Sequence, residues 1–254
     1  MLVAGDFRLD ADLVVFDKDG TLLDFDVMWG NLLVGTVEAL TAPIVRGQVV
    51  AADMYAALGY DPQRRWTNPH SPWAMGTTEQ GLTILAAALY RHGQPWHVAE
   101  AAVRDAWREM SAPAALPRLV RPTADLTALF SALRRAGIRV AVDTTDDRSA
   151  TEATLSLLNI GHLVDSIVCG DDDLPGKPAP ERLLATCQLL GVQVARTAMV
   201  GDTVFDLLMG RQAGAGLVVG VLTGASDRAT LAAHADVVLN SIAELLVAAG
   251  VPGT

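Results

Sequence analysis

Residues 13–24 read Leu-Val-Val-Phe-Asp-Lys-Asp-Gly-Thr-Leu-Leu-Asp, and this stretch decides the fold. The apolar run at its start predicts a buried strand that ends before the Gly-Thr turn. Asp17 and Asp19 stand two residues apart in an extended segment, so their side chains point the same way. In an open parallel sheet the ligand site lies beyond the carboxyl ends of the strands, where we expect both acids. Neighbouring anions require a cation or a shared proton, and Mg²⁺ is a natural partner. For this stretch alone, an ordinary Asp- and Gly-rich turn is the simpler alternative.

The composition limits the classes of partner. The chain has 254 residues, 51% of them hydrophobic, which is enough for a substantial core. Its 19 Lys and Arg stand against 29 Asp and Glu, a formal net charge of -10. This balance argues against nucleic acid or an anionic membrane as the main partner. A small phosphorylated metabolite remains compatible, because an acidic protein can hold a local cation.

Two features of the sequence predict a cytoplasmic protein. Cys169 and Cys187 have neither CxxC nor metal-ligand spacing, which is typical of reduced core cysteines. The N-terminus lacks a basic start before an apolar run, and no apolar stretch is long enough to span a bilayer.

The order of predicted elements indicates an inserted domain. Residues 24–119 carry helical periodicity over 27–41, 47–58, 77–92 and 95–110, with no convincing strand. Residues 1–23 and 120–254 alternate strand and helix, ending in a predicted helix over 241–249. We therefore predict an α/β core with a Rossmann-like parallel sheet and helices on both faces. The insert is predicted to be an all-helical cap that leaves from the first strand, where a lid belongs.

Three later segments carry polar groups at predicted strand ends. Thr144 and Thr145 follow a strand and offer hydroxyls to an oxyanion, although threonine is also a routine helix N-cap. Lys177 lies between glycine and prolines that fix its position, although most loop lysines are simply solvated. Asp202 and Asp206 share one face of a helix's first turn, where acids are also ordinary dipole partners.

Taken together, the order DxDGT, strand-end Thr, loop Lys and GDxxxD resembles the haloacid dehalogenase (HAD) superfamily. The closer resemblance is to its phosphoglycolate-phosphatase-like branch with a helical, C1-type cap. It covers residues 13–23 and roughly 120–222, whereas the cap matches only by position and helical character. Thr145 stands where many relatives have Asn, which puts a side-chain amide role in doubt. Lys18 occupies a variable position of the pattern and is assigned no chemistry.

The resemblance implies a role for each matched residue. Asp17 would attack phosphorus and form an aspartyl-phosphate, and Asp19 would protonate the leaving alcohol and later activate water. The phosphoryl oxygens would contact residues from two later segments, Thr144, Thr145 and Lys177.

The same resemblance implies an Mg²⁺ site. Its ligands would be Asp17, the backbone carbonyl of Asp19, and Asp202. Asp206 would act through water or by orienting Lys177. Electrostatics supports a cation, because each pair of unit charges about 4 Å apart interacts with about 4 kcal/mol at an effective dielectric near 20.

The loop at 61–73 is unusual in the insert because it mixes arginines, a histidine and tryptophans. Near the cleft, such side chains would contact the leaving group. The alternative is a surface loop with its tryptophans tucked beneath it. The candidate specificity residues are Arg64, Arg65, Trp66, His70 and Trp73.

The leading functional prediction is an Mg²⁺-dependent phosphatase acting on a small organic phosphate monoester. The alternative is a HAD-type phosphomutase acting on a sugar phosphate. A dehalogenase has no use for an acid at Asp19, and a phosphonatase would need a cap lysine, which residues 24–117 lack. A phospho-receiver module would not carry the helical insert or the GDxxxD motif.

Overall fold

The computed structural model of the chain describes residues 1–112 and 115–248. The polypeptide divides into two compact units, one formed by Met1–Asp24 with Pro122–Thr254 and the other by Phe25–Arg121. Among the described residues, no helix combines the length and apolar character needed to cross a bilayer.

The strands in chain order are β1 (Leu2–Ala4), β2 (Phe7–Leu9), β3 (Leu13–Phe16), β4 (Tyr60–Asp61), β5 (Trp66–Thr67), β6 (Arg139–Asp143), β7 (Ser166–Val168), β8 (Thr197–Gly201), β9 (Leu217–Val221), β10 (Val237–Leu239) and β11 (Leu245–Val247). The helices are α1 (Asn31–Thr41), α2 (Gly47–Leu58), α3 (Pro72–Met75), α4 (Thr78–Arg91), α5 (Trp96–Met110), α6 (Leu116–Leu119), α7 (Leu126–Arg135), α8 (Arg148–Leu157), α9 (Glu181–Leu190), α10 (Val204–Ala213) and α11 (Arg228–Ala232). A π-helical turn, Asp26–Gly30, precedes α1.

A six-stranded sheet forms the centre of the first unit, in the order β10-β9-β8-β3-β6-β7. Every pairing in it is parallel, as predicted from the alternation of strands and helices. Strand β3 therefore lies between β6 and β8, and the carboxyl ends of these three strands meet at one edge. This order brings together residues that are far apart in the sequence.

Both faces of this sheet are covered by helices. Leu13 and Val15 of β3 face one side and pack in a cluster with residues of α9 and α10. Phe16 points to the opposite side, as the two-residue period of a strand requires, and its ring lies 5.4 Å from that of Phe130 in α7. The apolar run at β3 is thus continuous because the strand is buried on both faces.

The helical unit has its own apolar core, built from α1, α2, α4 and α5 around Leu33, Met54, Leu85 and Val103. The unit also contains β4 and β5, which pair antiparallel over two residues each. Strands this short leave no alternating pattern in the sequence, so they were not predicted.

The predicted helix over 241–249 is wrong for the described part of that range. Ser241 caps a single 3₁₀ turn over Ile242–Glu244, and β11 then pairs antiparallel with β1. The apolar run in β11 is compatible with either element, and its partner lies at the opposite end of the chain. Residue 249 is outside the described residues.

Candidate active site

The carboxyl ends of β8, β3 and β6 carry the acids of the site. Asp17 follows β3, Asp143 ends β6, and Asp202 follows β8. All three residues are buried. Asp206 joins them from the first turn of α10, where its backbone and side chain form a capping box with Thr203.

Lys177 links these acids from the loop that precedes α9. Its Nζ donates to Asp17 Oδ1 and to Asp206 Oδ1, both at 2.7 Å, and to the carbonyl oxygen of Asp143 at 2.9 Å. The side chain is only 4% exposed. Burial alone lowers the pKa of this ammonium, but the carboxylates of Asp17, Asp206 and Asp143 raise the pKa overall. Lys177 therefore remains a cation at the centre of the cluster.

The acids outnumber the cations at this point of the sheet. Carboxylate oxygens of Asp17, Asp202 and Asp206 lie within 4.8 Å of one another. The pKa of Asp17 is raised to about 7, mainly by burial and in addition by the charges of Asp206 and Asp19, against the lowering effect of Lys177. Burial likewise raises the pKa of Asp202, and the charges of Asp17 and Asp206 add to that effect. The raised pKa values mean that ionising all three acids beside one ammonium is costly. A divalent cation would balance the two negative charges that Lys177 leaves uncompensated.

The backbone around Asp202 is shaped to enclose this carboxylate. A Cβ added to Gly20 would lie 2.4 Å from Asp202 Oδ2, and one added to Gly224 would lie 1.9 Å away. Gly20 also has φ +92°, a conformation that favours glycine. Thr21 Oγ1 and the Ala225 N–H donate to the same carboxylate at 3.3 and 2.9 Å. The carboxylate oxygens of the cluster, one of them closely enclosed in this way, are ligands that suit an ion such as Mg²⁺.

Thr144 and Thr145 differ in their surroundings. Thr144 is buried, and its hydroxyl accepts a hydrogen bond from the Asp146 N–H at 3.1 Å. Thr145 is exposed. Thr144 follows directly on Asp143, whose carbonyl oxygen contacts Lys177, so it lies next to the cluster.

Arg182 is a site residue that the sequence did not reveal. It is buried in α9, and its Nε donates to both oxygens of Asp143 at 3.0 and 3.2 Å. Its other nitrogens donate to the carbonyl oxygens of Thr144 and Cys169. Burial raises the pKa of Asp143 overall, although Lys177 and Arg182 partly offset this effect. Arg182 thus fixes the backbone that carries Thr144. The sequence did not indicate this contact, because an arginine within a helical pattern looks like an ordinary surface residue.

Replacing Arg182 with methionine should lower the free energy of unfolding by about 3–5 kcal/mol, because it leaves a buried carboxylate and two carbonyl groups without their donor. Urea unfolding followed by circular dichroism measures the change. The exposed Arg135→Met is the matched control and should stay within about 0.5 kcal/mol of the wild type. A loss below about 1 kcal/mol for Arg182→Met would contradict this role.

The candidate specificity residues of the loop do not share one environment. Four of them are exposed: Arg64, Arg65, Trp66 and His70. The guanidinium of Arg65 donates to Asn31 Oδ1 at 2.8 Å. Trp73 is buried in the core of the helical unit, with its ring 6.0 Å from Trp29 and 6.1 Å from Trp107. Its packing favours the alternative of a tryptophan tucked beneath the loop.

The structure thus has a parallel sheet with buried carboxylates at the carboxyl ends of neighbouring strands. The family model of haloacid dehalogenase-like hydrolases matches residues 11–214, and the chain belongs to this family.

Individual relatives agree with this assignment. A phosphoglycolate phosphatase from Agrobacterium fabrum is 33% identical over 132 residues, covering 52% of this chain and 56% of the relative. A probable phosphatase, IndB, from Dickeya dadantii is 28% identical over 93% of both chains. The chain spans 35% to 56% of the length of several curated phosphoglycolate phosphatases.

A solved structure extends the agreement in fold to nearly the whole chain. A HAD family hydrolase from Deinococcus radiodurans R1, with bound phosphate and sodium, superposes with a TM-score of 0.64 at 20% identity. The match covers 93% of this chain and 94% of that one.

Proposed function

We propose that the protein is an Mg²⁺-dependent phosphatase that hydrolyses a small organic phosphate monoester through an aspartyl-phosphate on Asp17. One observation carries this proposal: Lys177 holds Asp17 and Asp206 at 2.7 Å, beside a third buried acid, Asp202. A phosphate dianion entering this cluster meets a fixed nucleophile and a fixed cation together. The family and the phosphatases among its relatives support the same reaction class.

The first half of the reaction requires a nucleophile and an acid. A carboxylate oxygen of Asp17 attacks phosphorus in line with the leaving oxygen, while protonated Asp19 gives its proton to the departing alcohol. Lys177 and Thr144 stabilise the charge on the equatorial phosphoryl oxygens. In the second half, Asp19 takes a proton from water, which attacks the same phosphorus and releases Asp17.

Asp17, Asp202 and the carbonyl oxygen of Asp19 would hold the metal, which when bound supplies charge neutralisation between two anions. The role proposed for Asp206 is to orient Lys177. Its Oδ1 accepts from Lys177, while its Oδ2 accepts from the N–H and hydroxyl of Thr203 at 3.0 and 2.6 Å.

The test is release of inorganic phosphate from a panel of phosphorylated metabolites and an aryl phosphate, before and after removal of divalent cations. We expect chelation to lower activity by at least about 100-fold and added Mg²⁺ to restore it, because the uncompensated acids repel the substrate. Mg²⁺ should also raise the melting temperature of the wild type, as a ligand of the folded state does. Unchanged activity after chelation would contradict the proposal.

Asp202→Asn, which removes one proposed ligand, should lose most of the Mg²⁺-dependent rise in melting temperature. Asp6→Asn, an exposed change in the turn between β1 and β2, is the matched control and should retain it. This comparison does not depend on finding the substrate.

The phosphomutase alternative makes a different prediction for the same protein. A mutase transfers the phosphoryl group back to a second sugar phosphate, so catalytic amounts of a sugar bisphosphate would activate it. Isomerised sugar phosphate in place of free phosphate would favour this alternative.

A further inference from the structure

Lys18 is deeply buried, although the sequence assigns no chemistry to its position in the DxDGT pattern. The sequence contains two lysines, Lys18 and Lys177, and all its other basic side chains apart from histidine are arginines. The side chain of Lys18 is 1% exposed, which makes it one of the most deeply buried charged groups in the described residues. A buried ammonium is costly unless carboxylates compensate it, so its partners indicate why it is there.

The partners of Lys18 come from two different loops of the site. Its Nζ lies 2.8 Å from the carboxylate of Asp19 and 3.0 Å from Asp146 Oδ2. These two carboxylates are close enough to compensate the buried ammonium. The bridge therefore joins the loop after β3 to the loop after β6.

Asp146, the second partner of Lys18, is held in place by hydrogen bonds of its own. Its Oδ1 accepts from the Asp147 N–H at 2.9 Å, and its own N–H donates to the Thr144 hydroxyl at 3.1 Å. Its carbonyl oxygen accepts from the Gly170 N–H at 2.8 Å. The carboxylate thus belongs to the turn that carries Thr144, the residue after Asp143, whose carbonyl oxygen contacts Lys177.

We propose that Lys18, held by Asp146, is a positioning residue that sets the carboxyl group of Asp19 against the leaving-group oxygen. The proposal rests on the phosphatase function given above. A general acid must lie within hydrogen-bond reach of the oxygen it protonates, and a shift of about 1 Å can cost about 100-fold in rate. A lysine suits this place because its compact ammonium carries three donors that can be shared between two carboxylates.

The choice of substrate separates positioning from a general effect on folding. An alkyl phosphate has a poor leaving group and depends on the acid, whereas an activated aryl phosphate needs little protonation. The quantity to compare is kcat/KM, because it reports the steps up to departure of the alcohol and excludes later hydrolysis of the aspartyl-phosphate. Asp19→Asn, measured in the same way, defines the full loss of the acid.

Lys18→Met should lower kcat/KM for the alkyl phosphate by about 30- to 100-fold and that for the aryl phosphate by about 3-fold or less. Lys18→Arg keeps the charge and should recover part of the alkyl rate. Asp146→Asn keeps the size of the anchor and should show the same selective loss, about 10-fold on the alkyl phosphate. If Lys18→Met does not fold, the test is the loss of kcat/KM on the alkyl phosphate relative to that on the aryl phosphate in Asp146→Asn.

Equal losses on both substrates, or no loss on either, would overturn the positioning role while leaving the phosphatase function intact. The proposed function fails separately, if the wild type releases no phosphate from either substrate or if Asp17→Asn retains activity.

Discussion

Asp17→Asn should abolish phosphate release, with kcat at least about 10⁴-fold below that of the wild type, because the amide cannot act as the nucleophile. Asparagine has nearly the same shape as aspartate, so the substitution removes the chemistry and leaves the packing in place. The assay follows inorganic phosphate at saturating substrate and Mg²⁺.

Stability provides the check on this result. Asp17 is buried among Asp202 and Asp206, and loss of one charge from that group should not unfold the protein. When both proteins are measured without metal, the melting temperature of Asp17→Asn should therefore match or exceed that of the wild type. Asp6→Asn is the exposed control for the same chemical change and should retain full activity. Turnover by Asp17→Asn near the wild-type rate would exclude Asp17 as the nucleophile.

Lys177→Met should impair both the chemistry and the fold. The ammonium lies 2.7 Å from two carboxylates, Asp17 and Asp206, and 3.6 Å from Asp143. Its loss leaves those charges buried without their cation, which should cost about 3–5 kcal/mol of unfolding free energy. It also removes a fixed charge from the transferring phosphoryl group, with an expected fall in kcat of about 10³-fold.

Urea unfolding and steady-state kinetics of the folded fraction measure these two effects separately. Arg118→Met in α6 removes an exposed cation and should change neither. Lys177→Arg retains the charge, so it should keep more stability than Lys177→Met while remaining well below the wild type in kcat, since a planar guanidinium does not reproduce the three contacts of Nζ. A stable and fully active Lys177→Met would remove Lys177 from the site.

The sequence predicted the core well where short patterns coincide with strand ends. DxDGT and GDxxxD each follow an apolar run, so the sheet order β8-β3-β6 was enough to bring Asp202 beside Asp17. The prolines and glycine around Lys177 indicated that its position is fixed, but not which acids it contacts. The second acid of GDxxxD has two functions in the structure, since Asp206 caps α10 and contacts Lys177.

Residues with partners in distant parts of the chain were harder to predict. Arg182 lies in the middle of a helical pattern, and only its contact with Asp143 distinguishes it from a surface arginine. The burial of Lys18 was equally hard to predict, because Asp146, one of the carboxylates that compensate its charge, lies far away in the sequence. The pairing of β11 with β1 also joins opposite ends of the chain. Local periodicity contains no information about such partners.

The central claim is that a carboxylate oxygen of Asp17 accepts the phosphoryl group. Rapid acid quenching during turnover, followed by peptide mass spectrometry, tests it most directly because it locates the transferred group on the chain. The account predicts a phosphoryl group on Asp17 in the wild type and none on the corresponding peptide of Asp17→Asn. A phosphoryl group on any other side chain would contradict it.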